Sequence, residues 1–210
     1  MTKIDFYYDP ACPFCWITSR WLLQVSSHRD IDITWRQFSL ALKNDTLTER
    51  EDESEHDKKS RDSHRVHRVI AAAEKSGVSA IDLYSLFGTK HHTAGFDYDD
   101  IWIANVLDEA GLPAELAKAA DDTSYDEYLQ SEIQSAVDAA GKDIGVPTIV
   151  FYNGEEKLGY FGPVLNELPE LEESLAIWDG LEKLAKIKAF YEIKRNRPSG
   201  SPDIASTARC

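Results

Sequence analysis

Cysteine is scarce in this chain, three in 210 residues, and there is a single methionine. So few cysteines, and an odd number, exclude the disulfide-dense scaffold of small secreted domains. No apolar run approaches the ~18 residues that a membrane-spanning helix requires. The opening "MTKIDFYYDP" has one Lys and no apolar h-region, so no secretory signal is expected there and the expected setting is the cytoplasm. In that setting a cysteine pair serves catalysis or metal binding more often than structure. Positive charge is also in deficit, with 23 Lys and Arg against 37 Asp and Glu and a formal net charge of −14. Such a surface repels phosphate backbones and anionic membranes, so neither nucleic acid nor membrane is an expected partner. Internal repeats and a second CxxC are absent as well.

What the chain does have is apolar content of 42%, enough for a core that needs neither disulfide nor metal. "KIDFYY" alternates and is rich in aromatics, as a strand should be. Ile17, Trp21, Leu22 and Val25 then recur at helical spacing after Pro13. Ile31, Ile33, Trp35 and Phe38 alternate with one break in phase and predict a second strand. The order so far is β-α-β. Residues 48–65 are dense in both charge signs and contain no aromatic, which predicts a solvated loop or helix face. Helical patterns follow: Val66, Val69, Ile70 and Ala73, ended by Gly77; then Ile103, Val106, Leu107 and Ala110, opened near Asp97 and closed by Gly111. Ser124 and Glu127 form a capping-box pattern ahead of Leu129, Ile133, Ala136 and Val137. This block holds no convincing strand. "PTIVFY", an Asn153-Gly154 turn and "EKLGYF" then predict a hairpin. A long helix carrying Leu171, Leu175, Trp178, Leu181 and Ala185 follows and ends before Pro198. The tail is Ser/Pro-rich and reads as frayed, with Cys210 at its end as an incidental thiol unless the tail folds back.

The chemistry concentrates in "ACPFCW". A helix starting near Cys12 offers unpaired N–H groups and the positive end of its dipole, which favour a thiolate there. Pro13 in the first turn sacrifices no hydrogen bond. Cys15 lies about one turn further on the same face, within reach of the Cys12 sulfur. That spacing suits an exposed nucleophile and a more buried resolving thiol in thiol–disulfide exchange. A zinc site needs about two further soft ligands. The candidates, His64 with His67 or His91 with His92, sit in polar insertion sequence, and the first pair reads as part of a solvated helix face. A structural bond closing so short a loop constrains the unfolded chain little. No metal is expected, and a redox pair is the favoured reading. Pro147, in "GVPT", is either a strand-start marker or a cis-proline loop beside the CxxC. Trp16 and Trp21 suit the core of the first helix, and Asn44 suits a turn or cap.

These residues resemble a known family. "CPFC" at a helix start, "GVPT" before a hairpin and helices set between βαβ and ββα resemble the DsbA-like branch of the thioredoxin superfamily. "DPACPFCWITSRWLL", "SLALKN", "AGLPAELAKAA" and "YFGPVL" resemble the mycothiol-dependent nitroreductase group within it. The resemblance implies an α/β, thioredoxin-like domain of residues 1–42 and 142–197. It further implies a helical insertion, residues 43–141, forming a lid over the thiols, and a flexible tail, residues 198–210. It implies a low-molecular-weight thiol, mycothiol, as reductant, a small-molecule substrate such as a nitroaromatic or a disulfide, and leaves a homodimer open. Cys12 would form the mixed disulfide and Cys15 would resolve it. Pro13, Phe14 and Trp16 would frame the site, Val146-Pro147 would be the cis-proline loop, Asn44 would line the cleft, and Gly162 and Pro163 would open the last helix nearby. Phe14 stands where Trp is common in the group, Val146 stands where Thr is familiar, and residues 48–65 lack an aromatic suited to a lid. These departures bear on the nitroaromatic substrate and leave the thiol chemistry intact. The alternative within the same chemistry is a DsbA/FrnE-like protein disulfide oxidoreductase or isomerase.

Overall fold

The alternating aromatic stretch at the start of the chain forms β1 (Thr2–Tyr8), the second member of a four-stranded sheet ordered β2-β1-β3-β4. A computed structural model describes residues 1–95 and 98–209. The helix α1 (Pro13–Ser26) connects β1 to β2 (Ile31–Gln37). β3 (Thr148–Asn153) runs antiparallel to β1, with Ile4 opposite Phe151 and Phe6 opposite Ile149. β4 (Glu156–Phe161) returns antiparallel to β3, Asn153 facing Glu156. The two-residue turn is therefore Gly154-Glu155 rather than Asn153-Gly154, with the positive φ of 66° on Gly154, where the missing Cβ tolerates it.

Alternation along these strands separates two faces. Phe151 packs on Trp178 of α7 (Leu171–Ala185), and Trp178 lies beside Trp21 of α1 with ring centroids 6.1 Å apart. The Trp21 indole also donates to the Ser174 carbonyl, so that buried ring is fixed by packing and by a polar anchor. The opposite face meets the end of α6 (Asp126–Ala140): Tyr7 bonds Ser135, and Gly159 lies directly against Ala139 and Ala140. α7 opens at Leu171, well after Gly162-Pro163, and it stops at Ala185, well before Pro198. The tail is not frayed throughout. Asp203 N–H bonds the Asn166 carbonyl, Leu168 N–H bonds Ser206, and residues Ile204–Arg209 form a 3₁₀ turn. Those backbone bonds supply the enthalpy that a polar composition does not advertise. Cys210 lies outside the described residues.

The chain divides into two compact units. One contains the sheet and comprises Met1–Tyr7, Cys12–Arg36 and Ser135–Cys210. The other, Tyr8–Ala11 with Gln37–Gln134, is helical. It contains α2 (Leu40–Lys43), α3 (Glu55–Lys75), α4 (Ala80–Gly88), α5 (Asp100–Glu109) and the first part of α6. α3 begins inside the charged stretch because Ser54 caps Asp57 N–H, and Glu55 and Asp57 meet the positive end of the dipole. Its Val66, Val69 and Ile70 are buried, but so are Ser60, Ser63, His64 and His67. The expectation of a solvated face for the two histidines is overturned. Both His64 ring nitrogens are engaged, Nδ1 by the Ser39 hydroxyl at 2.8 Å and Nε2 by Asp126 at 2.9 Å. His67 Nδ1 donates to Gln37. α5 is capped by Asp99, which accepts Trp102 N–H, while Asp97 lies outside the described residues. Ser124 does not open α6 as a capping box: it sits in the 3₁₀ turn Thr123–Tyr125, where Asp122 accepts its N–H.

Two predictions concern stability. A Cβ on Gly159 would come within 2.6 Å of Ala140 Cβ and 2.9 Å of helix backbone, whereas one on Gly180, exposed in α7, meets nothing within 4 Å. Gly159→Ala should therefore destabilise by about 1–3 kcal/mol and Gly180→Ala should stabilise by about 0.5–1 kcal/mol, as read from urea midpoints. Burial, with His67 and Arg68 nearby, pushes the His64 pKa down from 6.5 to about 4 against the pull of Asp126. The unfolded chain thus binds the extra proton first, so this stabilisation is complete above pH 6.5 and is lost as pH falls towards 4. Asp126 and Asp9, held below the usual carboxylate range, lose theirs only at lower pH. Urea titrations across the window should show a loss on the order of 3 kcal/mol that His64→Gln lacks.

Candidate active site

Residues 11–16 enter α1 with Cys12 as the cap. Its backbone is extended, at φ −82° and ψ 112°, and its sulfur accepts the Cys15 N–H at 3.4 Å. Pro13 occupies the first helical position, where it removes a donor that would otherwise lack a partner. A helix of this length carries the positive end of its dipole to that sulfur. Cys12 is 8% exposed and Cys15 0%, and both are unbridged thiols. The expected difference in access is present, but small.

A second segment meets the sulfur from the sheet. The Val146-Pro147 peptide is cis, and the Cys12 thiol lies 3.7 Å from the Val146 carbonyl oxygen. Pro147 in turn accepts Gly162 N–H at 2.8 Å, and Thr148 bridges to Gly162. Gly162-Pro163 is also cis, and the Pro163 carbonyl accepts the buried Thr18 hydroxyl at 2.9 Å. The bonds therefore run from α1 to Val146-Pro147, on to Gly162-Pro163, and back to α1. Gly162 takes φ 115°, and a side chain there would press on Val164 N at 3.2 Å. These two residues follow β4 and do not open α7; Gly162 contacts Pro147 and Pro163 contacts Thr18.

The aromatics differ in exposure. Trp16 is 3% exposed, with its indole N–H on the Thr207 hydroxyl at 3.1 Å and the Arg20 guanidinium 4.2 Å from its ring centre. It supports the site from within the core. Phe14 is half-buried, and the Arg197 guanidinium lies 4.3 Å from its ring centre. Asn44 belongs to the helical unit, is exposed, and ends α2 with its backbone N–H on the Leu40 and Leu42 carbonyls. The structure thus brings together Cys12, Pro13, Phe14, Cys15, Trp16, Val146, Pro147, Gly162 and Pro163 in one unit, and Asn44 is a cap in the other.

Sequence reasoning passed over Asp9, three residues before Cys12. It is fully buried and accepts Leu40 N–H, Ala11 N–H and the Ser63 hydroxyl, each at 2.8 Å, with His67 Nε2 at 3.5 Å. Burial pushes its carboxyl up, but the His67 ring and the two backbone N–H groups outweigh this and hold it below the usual range. An acid closing an aromatic strand was the available signal. Thr207 and Arg197, in a polar tail, gave none. Among the described residues no three His, Cys, Asp or Glu side chains gather as a metal ion would require, and no helix is long and apolar enough to cross a membrane.

The family model for the mycothiol-dependent nitroreductase Rv2466c matches residues 11–195. This chain belongs to that family. The match places it among oxidoreductases and spans the CxxC, both X-Pro loops and the whole helical block. The chain is 32% identical over 212 residues to the uncharacterized protein Rv2286c of Mycobacterium tuberculosis, covering all of this chain and 87% of that protein. Two solved structures share its DsbA-like, thioredoxin-type fold. One is a probable DsbA oxidoreductase, SCO1869, from Streptomyces coelicolor (TM-score 0.58, 18% identity, 87% of this chain and 91% of that one). The other is the cytosolic disulfide reductase DsbM from Pseudomonas aeruginosa (TM-score 0.58, 15% identity, 87% and 99%).

Thr207→Val should cost about 1 kcal/mol through the lost bond to the Trp16 indole. It should also expose the tail to faster limited proteolysis and shift tryptophan emission; an unchanged spectrum and cleavage rate would show that the bond holds nothing.

Proposed function

We propose that this protein is a two-cysteine reductase that takes electrons from a low-molecular-weight thiol, mycothiol, and passes them to a small disulfide or electrophile such as a nitroaromatic. The observation that carries the reading is the Cys12 sulfur at the α1 cap, between the Cys15 N–H and the Val146 carbonyl, with the second thiol one turn behind it. Family membership supports the choice of reductant. The cytoplasm, where small thiols stay reduced, is the setting this chemistry needs.

For a disulfide the steps balance as follows. The Cys12 thiolate attacks one substrate sulfur, so a Cys12–substrate S–S bond forms as the substrate's own breaks and one thiolate leaves. Cys15 gives up its proton and attacks the Cys12 sulfur, which expels the second thiolate and leaves a Cys12–Cys15 disulfide. Two electrons have moved to the substrate. Mycothiol supplies the thiol equivalents, two per disulfide, that return the pair to its reduced form. The residues at hand suit a small polar thiol: the capping sulfur, the Val146 carbonyl beside it, the half-buried face of Phe14 and the guanidinium over that ring. The Cys15 N–H aimed at sulfur stabilises Cys12 as attacking and as leaving thiolate.

Incubated with the oxidised form of mycothiol, Cys15→Ser should accumulate one mycothiol adduct on Cys12 by mass spectrometry, while wild type should release it. Cys12→Ser should reduce substrate at the background rate. Full activity in the Cys12 variant would sink the mechanism. Turnover of a scrambled protein without any response to mycothiol would replace it with a protein disulfide oxidoreductase or isomerase.

A further inference from the structure

In a chain with 37 carboxylate side chains, guanidinium groups are readily taken up by acids. Arg29 pairs with Asp179, Arg61 with Glu53, Arg65 with Asp100 and Asp121, and Arg68 with Asp126. Arg197 has no carboxylate partner among the described residues. It is exposed and lies instead on the ring of Phe14, the residue directly before Cys15. A guanidinium stacked on an aromatic face keeps its N–H fork in its own plane, directed away from the ring and open to an incoming acceptor.

The segment that carries Arg197 is held on both sides. Upstream, the Phe190 carbonyl accepts the Tyr160 hydroxyl at 3.2 Å, and the two rings lie 5.8 Å apart. Downstream, Asp203 bonds Asn166, Ser206 bonds Leu168, and Thr207 receives the Trp16 indole. Between these anchors the chain meets the start of α1 through the contact of Arg197 with Phe14. Lys194 and Arg195 in the same segment add positive charge. The net charge of −14 repels anions from the molecule as a whole, and a cation held on the ring of the residue between the two cysteines opposes that field locally.

We infer that Arg197 determines substrate charge preference at this redox pair, selecting among small disulfide substrates those that carry a carboxylate. The inference rests on the thiol-exchange reading above. A carboxylate approaching Cys12 over Phe14 meets the fork of Arg197 and forms charge-assisted hydrogen bonds that a neutral molecule cannot form. Because the guanidinium is exposed, the preference weakens as salt rises.

The test uses the reduced full-length chain and two aromatic disulfides, the dianionic dithiobis(nitrobenzoate) and the neutral dithiodipyridine. Each accepts two electrons from the dithiol, releases two chromophoric thiols and leaves the Cys12–Cys15 disulfide. The readout is the ratio of second-order rate constants, anionic over neutral, by stopped-flow absorbance at low and high salt. Arg197→Ala should lower that ratio about tenfold at low salt and flatten its salt dependence, and Arg197→Lys should keep most of it. A ratio unchanged in Arg197→Ala, with both rates equal to wild type or both lowered alike, would overturn the assignment and leave thiol exchange standing. If wild type and Cys12→Ser react identically with both probes, thiol exchange falls and this inference falls with it.

Discussion

A helix must do something with the N–H groups of its first turn, and α1 does it with sulfur. Pro13 removes one donor and the Cys12 side chain accepts another, from Cys15. The same sulfur lies against the Val146 carbonyl, and Pro147, Gly162, Pro163 and Thr18 continue the connection back into α1. The Cys12 sulfur is therefore part of the bonding that joins the first helix to the second half of the sheet. Packing of Trp21 on Trp178, and of Trp178 on Phe151, holds the far end of that helix to the same layers. Helix start and helix body are fixed by different forces, one polar and local, the other apolar and spread over a large area.

The helical unit solves a different problem, the burial of polar groups. Asp9 gathers two backbone N–H groups, a serine and a histidine, and His64 is satisfied by Ser39 and Asp126. Buried polar groups that are this fully bonded specify one arrangement of α2, α3 and α6, because any shift leaves a desolvated donor or acceptor unpaired. This explains why α3 tolerates Ser63 and His64 on a buried face, where an apolar stripe alone would allow several registers.

The proposed redox chemistry and the proposed substrate preference rest on separate atoms. Cys12, Cys15 and Val146 are set by the cap and the X-Pro loop, and the proposed thiol–disulfide exchange needs only these atoms. Phe14 carries no such constraint. It is half-buried, its outer face lies under Arg197, and the identity of the ring matters chiefly for what can stack or bind beside it. A phenyl ring under a guanidinium presents a partner with charge, where an indole left open would present it with a flat apolar face.

The strands, α1, the hairpin and most of α3, α5 and α7 were legible in the sequence, because periodicity reports which side of an element is buried. The Cys pair at a helix start and the proline before β3 were legible too, since cap chemistry and X-Pro restrictions act over a few residues. Other features were not. His64 and His67 read as solvated because their neighbours in sequence are charged, yet Ser39, Gln37 and Asp126, distant in the chain, supply the partners that bury them. Gly162-Pro163 read as a helix start, and its contact with Pro147 comes from strand pairing. The tail read as loose, and Thr207 reaches Trp16 across 191 positions. By itself the sequence determined most of the elements and the cysteine pair at a helix start; tertiary structure alone decided which carbonyl faces the sulfur, which polar groups are buried, and which cation covers Phe14. Local propensities are encoded within a turn or two of chain, whereas a hydrogen bond between distant segments exists only after the fold has brought both ends together.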